Sequence, residues 1–304
     1  MRHFLRLRDL SRVEANHLLD RAGALKADLK KGIRPALLPQ HVLGMVFEKP
    51  SLRTRASFEA AMAQLGGTSL FFNSSDGIMG QREPVSDFAR ALSSYVDIVV
   101  LRTFKHTTIE EFARHSRVPV INGLSDESHP CQALGDFLTM REALGDTAGK
   151  TVVFVGDGNN VARSLATGCG LFGMRFVLAC PPDYSFDKKY LASYRRLSPR
   201  GQLLQESDPV KAVKEADILY TDVWTSMGQE AERKKRCEDF APYQLNEKLL
   251  AKAPKRARVL HCLPAIRGEE ITDGVLESKQ SIVFEQAENR MHAQKAVLLW
   301  LLQS

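Results

Sequence analysis

The chain has 304 residues, with 42 lysines and arginines against 36 acidic side chains, a formal charge of +6. That length exceeds one typical domain of roughly 100 to 200 residues, so two packed α/β units are expected. The basic residues are dispersed rather than gathered in a tail, which disfavours nucleic acid as a partner, and the short basic runs KRARVLH and ERKKRC read as solvated helix ends or loops.

The N-terminus MRHFLRLRDLS carries charges where a signal peptide needs an unbroken apolar run, and the C-terminal AVLLWLL is too short to cross a bilayer. No membrane partner is expected. Ser11-Arg12-Val13-Glu14 then reads as a capping box opening an amphipathic helix, with Ala15, Leu18, Leu19, Ala22, Leu25 and Leu29 on one face. Beyond it, short β-rich runs alternate with helical patterns. The runs are LGMVF, TSLFF, DIVVL, VPVIN, TVVFV, MRFVLAC, DILYT, ARVLHC and SIVFE; the helical patterns include SFEAAMAQL, VSDFARALSSY, IEEFARHS and CQALGDFLTMREAL. Such alternation predicts α/β architecture, with two doubly wound domains, each a central parallel sheet flanked by helices. EALGDTAGKT loses apolar periodicity before a fresh strand and marks the boundary. The expected division is residues 1–145, 146–285, and a C-terminal helix over 286–304 that packs back on the first domain.

The five cysteines, Cys131, Cys169, Cys180, Cys237 and Cys262, are odd in number and form no C-x-x-C pair. They fit neither a disulfide framework nor a structural zinc site, and a cytoplasmic location follows as the expectation.

In open α/β sheets ligands bind outside the carboxyl ends of the strands, and the unusual polar residues follow the predicted strands. Ser51, Arg53 and Thr54 fall at a helix start, where unpaired N–H groups and the dipole favour an anion. Arg102 ends DIVVL. His129-Pro130-Cys131-Gln132 precedes a helix, so His129 and Gln132 can offer hydrogen bonds to a carbonyl group. GDGNNVA follows TVVFV, but Val161 stands where a dinucleotide loop needs its third glycine; Asn159 and Asn160 instead offer amides to the polar end of an amino acid. Asp222 and TSMG follow DILYT, placing a carboxylate where an ammonium group can pair. Cys262 follows ARVLH. Arg290, read as lying in the first turn of the last helix, opposes the dipole there and points to an anionic partner. Each has a bland alternative: a serine cap, a surface ion pair, a packed histidine, a capping aspartate, a buried thiol. Together they describe positional chemistry that brings an anionic activated carbonyl donor beside an amine.

FEKPSLRTR, Arg102, HPCQ, GDGNN, DVWTSMGQE, HCLP and AENR, in this order and across essentially the whole chain, resemble the transcarbamylases, and within them the ornithine carbamoyltransferases. The resemblance implies a carbamoyl phosphate site of Ser51, Leu52 through its backbone, Arg53, Thr54, Arg102, His129, Gln132 and Arg290, completed by Cys262 and Leu263. It implies an L-ornithine site of Asn160, Asp222, Ser226 and Met227, with catalysis assigned to Arg102, His129, Asp222 and Cys262. It further implies no cofactor, no metal, a homotrimer and a place in arginine metabolism. Two departures stand out. Leu52 replaces the family's usual threonine, and Ile78 stands where a glutamine or histidine lent to the neighbouring subunit is common. A carbamoyltransferase for another amine (putrescine or an N-acylated ornithine), a non-catalytic regulatory relative, and a nicotinamide dehydrogenase are the alternatives.

Overall fold

The computed structural model describes residues 1–73, 79–198, 201–226 and 228–303; Ile78 and Met227 therefore lie outside the described residues. The chain divides into two compact units, Met1–Leu138 with Glu288–Ser304, and Thr139–Ala287.

The first unit opens with α1 (Arg12–Lys30), where the capping box forms as its sequence requires. Ser11 Oγ accepts from the Glu14 amide at 3.2 Å, and the Glu14 carboxylate accepts from the Ser11 amide at 2.9 Å. Ala15, Leu18, Leu19, Ala22 and Leu25 are buried, while Leu29 is half-buried at the end of the stripe. There follow β1 (Val42–Phe47), α2 (Leu52–Gln64), β2 (Thr68–Asn73), α3 (Val85–Leu92), β3 (Ile98–Arg102), α4 (His106–His115), β4 (Val120–Leu124) and α5 (Pro130–Leu144). The sheet order is β2-β1-β3-β4, with every pairing parallel. Strands β1, β3 and β4 are almost wholly buried, whereas edge strand β2 alternates toward solvent. Chain direction across the sheet reverses at β1: α2 leads to β2 on one side, while β3 returns on the other, with Phe47 opposite Arg102. Loops leaving β1 and β3 thus diverge, and a crevice at this switch point is where such sheets take ligands.

The second unit contains β5 (Thr151–Val155), α6 (Asn160–Phe172), β6 (Arg175–Ala179), α7 (Lys188–Leu197), β7 (Gln202–Glu206), α8 (Pro209–Ala212), β8 (Ile218–Thr221), α9 (Arg233–Phe240), α10 (Glu247–Leu250), β9 (Arg258–His261) and α11 (Asp273–Leu276). Its parallel order is β7-β6-β5-β8-β9. Here β5 is the switch point, flanked by β6 and β8, so the loops after β5 and β8 are those that diverge. Phe154 and Tyr220 stack at 5.4 Å within the sheet's buried face. The last helix, α12 (Val283–Leu302), starts at the end of this unit, and its stretch from Glu288 onward belongs to the first.

Two sequence expectations need correction. SIVFE is not a strand: Ser281 makes one isolated bridge to Val259, and Val283 already begins α12. A short apolar run fits either period, and here Val283 and Gln286 are buried with Phe284 and Glu285 exposed between them, a three-residue spacing that is helical. Conversely β7, QLLQE, gave no apolar run because it is a sheet edge whose residues mostly face solvent.

Candidate functional site

In the first unit, α2 begins at Leu52, five residues before the apolar pattern SFEAAMAQL would start it, so Arg53 and Thr54 lie in the first turn. Ser51 is the N-cap; its hydroxyl accepts from the Thr54 amide at 3.3 Å and donates to Thr54 Oγ1 at 3.0 Å. Leu52 directs its side chain outward, 79% exposed, and leaves its backbone at the positive end of the helix. Arg290 Nη2 donates to Thr54 Oγ1 at 2.9 Å, and Arg102 Nη1 reaches the same oxygen at 3.5 Å. Two buried guanidinium groups thereby converge on one hydroxyl at a helix N-terminus, an arrangement whose positive charge calls for an anion. Arg290 lies about two turns inside α12 rather than in its first turn, so its charge answers this cluster and not the helix dipole.

A glycine makes that approach possible. A Cβ on Gly135, in the middle of α5, would come within 3.1 Å of Arg290 Cα. Just before the same helix, His129 is buried, and its pKa is pushed well below the ordinary imidazole range, by burial first and then by the charges of Arg290 and Arg102. It is neutral at physiological pH. Gln132 donates to Asp136 Oδ1 at 2.8 Å one turn further on. The segment before His129 is held by residues that sequence reading did not single out. His106 Nδ1 contacts Ser125 Oγ at 2.7 Å, the Ser125 amide donates to Ser128 O at 3.0 Å, and Asn122 Nδ2 also reaches that carbonyl.

In the second unit, Asn160 opens α6, and Asn159 before it is the cap, accepting from the Val161 and Ala162 amides at 2.9 and 3.0 Å. The other end of the Asn159 amide donates to Asp222 Oδ2 at 3.0 Å, tying the loop after β5 to the loop after β8. Asp222 Oδ1 accepts from the Val223 amide at 2.8 Å and from the Cys262 thiol at 3.0 Å. Asp222 is no helix cap: it is a buried carboxylate at the meeting of three strand ends. Gly158 permits the close turn, since a Cβ there would lie 2.9 Å from Tyr184 O. The Ser226 amide donates to Gln229 Oε1 at 3.1 Å.

Arg236 corrects the reading of ERKKRC as solvated. It is 3% exposed, pairs with Asp157, donates to Trp224 O at 2.5 Å and lies over the Tyr184 ring. The carboxyl of Asp157 is nevertheless raised above its usual range, because burial outweighs the attraction of Arg236. Leu263, after Cys262, has a left-handed backbone (φ 56°), and its amide donates to His261 Nδ1 at 2.9 Å. Among the described residues no group of His, Cys, Asp and Glu is arranged to hold a metal.

The structure thus assembles Ser51, Leu52, Arg53, Thr54, Arg102, His129, Gln132 and Arg290 in one unit, and Asn160, Asp222, Ser226, Cys262 and Leu263 in the other. The sequence matches the aspartate/ornithine carbamoyltransferase carbamoyl-P binding domain over residues 2–142 and the Asp/Orn binding domain of the same family over 148–301. This chain belongs to the aspartate/ornithine carbamoyltransferase family. Within it the similarity runs to ornithine carbamoyltransferases. The protein of that name from Archaeoglobus fulgidus is 49% identical over 99% of this chain and 98% of its own length, and that from Methylococcus capsulatus is equally similar. Among solved structures, ornithine carbamoyltransferase from Pyrococcus furiosus superimposes with a TM-score of 0.96 at 46% identity, covering 100% of this chain and 97% of its own.

Proposed function

We propose that this chain transfers the carbamoyl group of carbamoyl phosphate to the δ-amino group of L-ornithine, yielding L-citrulline and phosphate, and serves arginine metabolism in the cytoplasm as a homotrimer. The observation that carries the reading is the convergence of Arg102 and Arg290 on Thr54 at the N-terminus of α2. Phosphate oxygens would take the amides of the first helical turn, the Ser51 hydroxyl and the guanidinium groups of Arg53, Arg102 and Arg290. His129, held neutral, donates a hydrogen bond to the carbamoyl oxygen without adding charge to the resting site, and Arg102 and Thr54 share that oxygen as it becomes negative.

Ornithine's α-amino acid end is assigned to Asn160, Ser226 and Met227, with Asp222 and Cys262 beside the amine. The neutral δ-nitrogen attacks the carbamoyl carbon to give a tetrahedral intermediate; the C–N bond forms, the C–O bond to phosphate breaks, and the departing phosphate takes the amine proton. Positioning supplies most of the acceleration, since an oriented pair of reactants avoids the entropic cost of encounter. The half-buried Cys262 thiol, donating to Asp222, suits orientation better than nucleophilic attack.

Purified protein given carbamoyl phosphate and an amine, followed by colorimetric detection of ureido product, tests this directly. Citrulline is expected from ornithine at rates well above those with putrescine or N-acetylornithine. A preference for either of the latter, or no product from folded protein, overturns the assignment.

A further inference from the structure

We infer that His261 and Glu270 form a positioning device that fixes the backbone of Cys262 and Leu263, and that the hydrogen bond to His261 Nδ1 is its working part. The inference rests on the amine site proposed above. Both side chains are fully buried: His261 Nε2 lies 2.9 Å from Glu270 Oε1, and both side chains have 0% exposure. Glu270 Oε1 accepts a second hydrogen bond from the Ile266 amide at 2.6 Å, while His261 Nδ1 accepts from the Leu263 amide at 2.9 Å. The backbone N–H can only donate, so Nδ1 carries no proton. The ring proton therefore sits on Nε2 and points at Glu270. One tautomer is selected, and the carboxylate selects it.

Leu263 needs such a device. Its φ of 56° lies in the left-handed region, which a branched apolar residue disfavours, so the conformation persists only if its surroundings hold it. The histidine itself is immobilised from behind: its amide donates to Gln286 Oε1 at 2.8 Å, and Gln286 Nε2 reaches Tyr220 OH at 3.1 Å. The Glu270 end is fixed as well, because the Glu270 carbonyl accepts from the Leu245 amide at 2.9 Å. A rigid strand end, a ring of fixed tautomer and a pinned turn thus set the direction of the Cys262 thiol toward Asp222. His261 touches neither proposed substrate; it acts through the residues after it.

The test compares His261→Asn with His261→Gln, both in a Glu270→Gln background so that no buried carboxylate loses its partner. Asparagine can place an acceptor where Nδ1 was and keep the Leu263 amide bonded. Glutamine reaches toward position 270 but leaves that amide without its acceptor. Loss of alignment by about an ångström costs on the order of a hundredfold, so kcat/KM for ornithine should fall about tenfold to a hundredfold in the Gln variant. The Asn variant should stay within a few-fold of its parent. Equal losses in the two variants overturn the inference. Peptide-mapped alkylation of Cys262 gives a readout independent of turnover. Its rate should shift in the Gln variant and return toward the parent's in the Asn variant, even if ornithine proves not to be the substrate; an identical rate in all variants overturns the inference whatever the substrate is.

Discussion

Leu52 is where side-chain chemistry and backbone chemistry separate. As the first residue of α2 it supplies an amide to the helix terminus whatever its side chain, and that side chain is exposed rather than packed. Leu52→Thr should leave stability within about 0.5 kcal/mol and, by offering another hydroxyl to phosphate, lower KM for carbamoyl phosphate; an unchanged KM in steady-state assays means that position 52 faces away from the anion. Legibility at this scale followed the same division. Ser51, Thr54 and Arg102 were readable because strand ends and helix starts are local events. Arg236 and His261 were not, because their meaning lies in partners brought by folding: Asp157 and Trp224 for one, Glu270 and the Leu263 amide for the other. Composition alone makes ERKKRC look solvated.

Among the elements, α5 and α12 constrain one another through Gly135. In an ordinary helix interior Gly→Ala stabilises by about 1 kcal/mol, yet here the added methyl meets backbone, Arg290 Cα at 3.1 Å. We expect Gly135→Ala to lower the thermal midpoint in spite of helix propensity and to raise KM for carbamoyl phosphate, since Arg290 must shift away from Thr54. A gain in midpoint with unchanged KM would show that α12 yields without cost. Strands β1, β3, β4, β5 and β8 were legible because sheets covered on both faces leave near-continuous apolar runs. Edge strand β7 lacks that signal, and SIVFE carries it misleadingly into the start of α12.

Over the molecule as a whole, buried histidines give stability a definite pH dependence. His106 and His292 are both lowered to about 4, chiefly by burial, with Arg6 and Lys295 respectively adding repulsion, and His129 is also well below the ordinary imidazole range, by burial first and then by Arg290 and Arg102. The unfolded chain binds protons on these rings near pH 6.5, whereas the folded chain does not, so stability rises with pH from about 4 to 6.5 and then levels. The raised carboxyls of Asp9, Glu48 and Asp157 act in the opposite sense, in the window just above the ordinary carboxylate range. Thermal midpoints measured between pH 5 and 8 should therefore fall on the acid side, less steeply in His106→Asn; a flat profile refutes the account.

The first unit is closed by residues from the far end of the sequence, Glu288–Ser304, among them Arg290. During synthesis the first 138 residues leave the ribosome long before that stretch exists, and at roughly 5–20 residues per second the wait is on the order of ten seconds or more. A nascent chain accordingly cannot complete this charge cluster, and early termination anywhere before Arg290 leaves Thr54 with Ser51 and Arg102 but without Arg290. Completion of this charge cluster thus waits on synthesis of the last helix.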